Sequence, residues 1–100
     1  MNLTESQKKY LRGLGHPLKP VVTIADAGLS ESVLKEFDST IDHHELIKVR
    51  IRSGDRPTRD ATIKELCATA KAELIARIGN VALIYRRNDE KPKIPLPVGK

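Results

Sequence analysis

Between Glu45 and Arg52 the chain alternates, with Ile47, Val49 and Ile51 on one side and Lys48, Arg50 and Arg52 on the other. A period of two assigns these sets to opposite faces of a β-strand, one apolar and one cationic. A period of three to four runs through Val33, Leu34, Phe37 and Ile41, the stripe of an amphipathic helix that stops near His43-His44. The same spacing links Ile63, Leu66, Cys67, Ala70 and Leu74 and predicts a helix that has Pro57 in its first turn and runs to about Ala72. Tyr10, Leu11 and Leu14 share one face of a first helix. Thr4-Glu5-Ser6-Gln7 opens that helix as a capping box, and Gly13, Gly15 and Pro17 end it.

Shorter apolar runs supply the other strands. Val21 to Ile24 is β-branched and reads as a buried strand, with Pro20 at its start, where a missing N–H is tolerated. The small residues Ala25 to Gly28 then connect it to a helix capped by Ser30, with Glu31 against the positive end of the dipole. Ser53-Gly54-Asp55 is a turn cluster. Leu74 to Ile78 and Val81 to Tyr85 form a hairpin about Gly79-Asn80. From Asn88 the three prolines and the lack of any period predict an extended or disordered tail. The expected division is therefore a domain over 1–87 and a tail over 88–100. The order α-β-α-β-α-β-β, with right-handed crossovers, makes the first three strands parallel, and the final hairpin adds an antiparallel one. The fold class expected is α/β (α+β), a two-layer arrangement with a four-stranded mixed sheet.

Composition narrows the function. One Phe, two Tyr and no Trp leave an aliphatic core and little aromatic surface for stacking bases. The single Cys67 excludes an intramolecular disulfide, fits a reducing compartment, and reads as a small core residue. No apolar run approaches the roughly 20 residues of a membrane span, and no secretory h-region is present. A soluble cytoplasmic protein is the expectation. The net charge of +5 points to an acidic partner, nucleic acid first. Asp26, Glu31, Glu36, Asp38, Asp42 and Glu45 face only Lys35 in their stretch, so the bases cluster elsewhere.

Catalytic signatures are missing. The chain has no G-x-S-x-G, P-loop, G-x-G-x-x-G or H-E-x-x-H. His43-His44-Glu45 is the one cluster of ligand types, but adjacent residues of regular structure do not converge on one ion, and no further His or Cys has ligand spacing. No enzyme activity, metal or cofactor is expected.

A strand, a small-residue loop and a helix N-terminus together make a potential phosphate site. His16-Pro17-Leu18-Lys19-Pro20-Val21-Val22, the loop Ala25-Asp26-Ala27-Gly28-Leu29, His43-His44-Glu45-Leu46-Ile47-Lys48-Val49 and Ile84-Tyr85-Arg86 closely resemble the YhbY family. These are stand-alone bacterial members of the CRM (chloroplast RNA splicing and ribosome maturation) domain family. The resemblance runs from about Leu3 to Arg87. It implies RNA binding, a role in maturing the large ribosomal subunit through its precursor particles, and a fold similar to the C-terminal domain of translation initiation factor three. It also implies that the family's G-x-x-G loop, likened to the backbone clamp of KH domains, falls on Ala25-Asp26-Ala27-Gly28. Ala25 replaces the first glycine and is expected at negative φ. Asp26 places a carboxylate where a phosphate approaches, so the basic strand carries more of the affinity. The expected RNA-binding set is Lys19, Ala25, Asp26, Ala27, Gly28, Lys48, Arg50, Arg52 and Arg86, gripping ribosomal RNA as a monomer. Ribosomal proteins are further partners to consider. The alternative is a protein-docking module whose acidic helix (Glu31, Lys35, Glu36, Asp38, Asp42) meets a ribosomal protein or assembly factor.

Overall fold

The computed structural model describes residues 3–52 and 54–97. Its elements are α1 (Glu5–Gly15), β1 (Pro20–Ile24), α2 (Glu31–His44), β2 (Leu46–Ile51), α3 (Arg56–Ala70), β3 (Glu73–Ile78) and β4 (Val81–Tyr85). The helix starts follow from side-chain acceptors. Thr4 Oγ1 accepts from the Gln7 N–H at 3.1 Å and Gln7 Oε1 from the Thr4 N–H at 3.0 Å, which closes the capping box. Ser30 Oγ accepts from the Val33 N–H at 3.2 Å, and Asp55 Oδ1 from the Thr58 N–H at 3.0 Å. Hydrogen bonding to Thr58 holds the Asp55 carboxyl below its ordinary value. Ser53, part of the expected turn, lies outside the described residues.

The sheet order is β1-β2-β4-β3. β1 and β2 are parallel, and β4 is antiparallel to both of its neighbours, so β1, β2 and β3 share one direction. The last strand therefore enters the middle of the sheet, between β2 and β3.

Alternation along the strands builds two cores. Val22, Ile24, Ile47, Val49, Ile51, Ala82 and Ile84 face Phe37 and Ile41 of α2 and Ile63 and Leu66 of α3. Each large aliphatic side chain buried here contributes roughly 1.5–3 kcal/mol, so this sealed face is the main source of stability. The opposite face holds Leu46, Ile75, Leu83 and Tyr85 beneath Leu11 of α1. α1 thus lies across the sheet from α2 and α3 and covers part of the second face. Its buried line is Leu11 and Gly15, while Tyr10 and Leu14 stay partly exposed at its margin. A Cβ on Gly15 would stand 2.5 Å from Leu83 Cδ2, so the missing side chain lets the helix end rest on β4. Leu74, expected on the α3 stripe, belongs to β3 and is exposed.

The segment after Tyr85 is fastened to the domain by Glu45, a fully buried carboxylate at the α2–β2 junction. Glu45 Oε2 accepts from the Asn88 N–H at 2.7 Å, and Oε1 from the N–H groups of Lys93 and Ile94 at 2.6 and 2.7 Å. Asn88 Oδ1 accepts from Glu90 and Lys91 N–H groups at 3.1 Å and shapes the turn between. Ile94 and Leu96 pack into the core under α1, and Gln7 Nε2 donates to the Pro97 carbonyl at 3.0 Å. Residue 87 is therefore no limit of packing. The prolines forbid a regular element, but long-range donors and two aliphatic anchors order the described part of the segment; residues 98–100 lie outside the described set.

Candidate nucleic-acid interface

The cationic side of β2 points away from the sealed core. Lys48 pairs in register with Pro20 on β1 and Leu83 on β4, and Arg50 with Thr23 and Val81. At about 3.3 Å per residue, Lys48, Arg50 and Arg52 span roughly 13 Å of strand. The Arg52 N–H donates to the Ile24 carbonyl at 2.8 Å, which brings this end of the row to the end of β1. Lys19 directly precedes Pro20 and so stands beside Lys48 at the other end. Lys19, Arg50 and Arg52 are exposed. Lys48 is half-buried and its Nζ donates to the His16 carbonyl at 3.2 Å. Among the described residues no carboxylate pairs with any of the four. Cations without internal counter-charges create a surface potential that attracts a polyanion.

The loop follows from β1 at the Arg52 end. The Gly28 N–H donates to the Ala25 carbonyl at 2.9 Å, closing a turn over Asp26 and Ala27, and the Ser30 N–H donates to the Gly28 carbonyl at 3.0 Å. Gly28 has φ +72, which an L side chain rarely adopts. Ala25 is not among the positive-φ residues, in keeping with the steric preference of its Cβ. Asp26 and Ala27 are exposed at the tip, and α2 begins just beyond, its N-terminal amides facing the same edge.

Arg86 is placed elsewhere. It follows Tyr85, which pairs with Leu46 at the start of β2, whereas Arg52 follows the end of that strand. Its Nη1 meets Asp38 Oδ1 at 2.6 Å and the Ala70 carbonyl at 3.1 Å, while Nη2 donates to the Asp38 carbonyl at 3.1 Å and lies 3.8 Å from Asp42 Oδ1. Arg86 ties the end of β4 to α2 and α3, and uses Asp38 and Asp42 of the acidic helix in doing so. Glu31 of that helix is paired with Lys35 at 3.6 Å. The structure thus brings together Lys19, Lys48, Arg50, Arg52 and the 25–28 loop, and separates Arg86 from them.

Two residues missed at the level of sequence join the row. Arg12 and His16, four apart at the end of α1, lie with Lys48 around a hollow on the open part of the sheet. The four-residue spacing puts both on one helix side, but only the seating of α1 on β4 shows which strand they meet.

The other reactive side chains have ordinary roles. His43 and His44 meet edge to face, ring centres 4.7 Å apart, and among the described residues no group of His, Cys, Asp and Glu gathers as metal ligands would. Burial, and secondarily Glu73, push the Cys67 thiol up to about 11, so it is protonated near neutrality. Burial, then the neighbouring Glu45 charge, raise the Tyr85 phenol. No helix among the described residues is long and apolar enough to cross a membrane.

The chain is matched over residues 3–86 by the model of the CRS1 / YhbY (CRM) domain family. A Pseudomonas aeruginosa protein named a probable RNA-binding protein is 44% identical over 93 residues, which are 93% of this chain and 89% of that one. A Haemophilus influenzae protein named an RNA-binding protein is 41% identical, with 95% of each chain covered. In solution a Staphylococcus aureus protein, described as a candidate RNA-binding protein, has a similar structure: TM-score 0.81, 34% identity, 96% of this chain and 100% of that chain.

Proposed function

The chain belongs to the CRS1/YhbY (CRM) domain family, and from that footing we propose that it binds RNA through the outer face of its sheet. The observation that carries this reading is the row of four cations, Lys19, Lys48, Arg50 and Arg52, with no carboxylate paired to any of them among the described residues. The RNA is ribosomal, met in precursors of the large subunit in the cytoplasm, and the monomer grips it by its backbone. The Gly28 turn and the first amides of α2 receive a phosphate, with the Asp26 carboxylate weakening that contact.

Four neutralised phosphates make affinity fall roughly fiftyfold between about 50 and 200 mM salt on the single-strand slope. The deciding experiment reverses Lys48→Glu and Arg50→Glu together and measures binding to large-subunit ribosomal RNA. The double variant loses binding and keeps the melting temperature of the parent, because neither residue belongs to the buried core. Normal binding by that variant removes the strand face from the site. Binding by the parent only to protein-containing particles, and not to naked RNA, transfers the contact to a protein surface such as α2.

A further inference from the structure

Beside the cation row the sheet is uncovered and apolar. α1 shields Leu46, Tyr85 and Ile75 but stops at Gly15, so the far part of the second face has no helix above it. Ala76 and Ile78 of β3 and Val81 of β4, with Leu83 beneath the end of α1 at its margin, line a hollow there of about 220 Å³. Ile78, on the edge strand beside the hollow, is 69% exposed. The rim is cationic. Arg12, His16 and Lys48 stand around the hollow, and Arg50 lies one strand pair along, beside Val81.

We propose that this hollow receives one unpaired nucleobase of the bound RNA, while the phosphates on either side of it lie on Lys48 and Arg50. The inference rests on the RNA-binding reading above and adds the class of RNA: a strand with a looped-out or single-stranded nucleotide, in preference to a continuous duplex. Three observations favour a base as occupant. The volume is below the roughly 300–1,000 Å³ of pockets for drug-sized ligands, and suits a single flat ring system. The floor is aliphatic while the rim offers a guanidinium and an imidazole, both planar groups on which bases stack. The rim carries positive charge without a carboxylate, which complements a base that arrives with phosphates attached. A duplex keeps its bases stacked inside and has nothing to insert.

The test compares three RNAs of one mixed sequence: a blunt duplex, the same duplex with a single-nucleotide bulge, and the single strand. The parent protein binds the bulged and single-stranded forms about tenfold tighter than the blunt duplex, a gain in the range of one stacked base. A 2-aminopurine at the bulge changes fluorescence on binding. Ala76→Phe fills the hollow and removes both effects, leaving the duplex affinity and its salt dependence in place. Arg12→Ala with His16→Ala, both exposed and harmless to the core, lowers the preference as well and guards against misfolding of the filled variant. Equal affinity of the parent for all three RNAs overturns the inference and leaves the RNA-binding reading intact. So does a preference that survives in both variants, which assigns the hollow to another occupant, such as an apolar side chain of a protein. Failure of the parent to bind any of the three overturns the RNA-binding reading and this inference with it.

Discussion

Arg50 lies on β2 and Arg86 directly follows the adjacent strand β4, but their surroundings differ completely. Around Arg86 the fold assembles the carboxylates of Asp38 and Asp42 and two backbone carbonyls, and leaves its side chain 19% exposed. Around Arg50 it provides Thr23 and Val81 in register and no acid. The carboxylates divide in the same way: Glu45 is sealed by three amide donors at the Arg86 end, whereas Asp26 is exposed on the turn at the Arg52 end. At the closed end charges are consumed in holding elements together, and at the open end they remain for a partner. A count of cations cannot tell these cases apart. A partly buried arginine already bonded to carboxylates has to give up that charge-assisted contact before it can take a phosphate.

The contrast can be broken in graded steps. Glu45→Ala takes the acceptor from three amides, each costing about 1–3 kcal/mol if left unsatisfied. The expected outcome is a loss of about 3 kcal/mol or more in chemical denaturation, with faster hydrogen exchange at Asn88, Lys93 and Ile94. Unchanged stability would mean that the closed end is not held by this carboxylate. Arg86→Ala is expected to lose about 2 kcal/mol, in the range for hydrogen bonds to charged groups, with RNA affinity unaltered in a filter-binding assay. If binding instead falls as far as in the Lys48/Arg50 reversal, the two ends are not functionally distinct. Gly28→Val has the smallest effect on stability, about 1 kcal/mol of backbone strain at positive φ, since no neighbour lies within 4 Å of its Cβ. Its RNA affinity drops severalfold in the same assay, and full affinity would exclude the loop from the interface.

Much of this was legible in the chain itself, for local reasons. The capping box at Thr4 and Gln7, the Ser30 cap and the alternation of β2 depend on neighbours within four residues, and each is found where the pattern puts it. The role of Arg86 was hidden because Asp38 is 48 positions away and α2 reads simply as acidic. Glu45 was hidden for the same reason, since its donors are 43 to 49 residues further on. The apolar stripe of α1 marks a buried side but not the layer it joins; that is decided by Gly15 against Leu83. The hollow beside Lys48 follows from that placement, so no spacing within α1 or β2 alone announces it.

The insertion of β4 between β2 and β3 bears on how the molecule is made. As the chain leaves the ribosome, β1 and β2 can pair early, but β3 has no ladder partner among the earlier strands. Only when residues 81–85 emerge do the two portions become one sheet, with α1 seated and the sealed core completed in the same event. A nascent fragment that stops before residue 81 lacks the strand that joins β2 to β3, so the sheet closes only with the final strand.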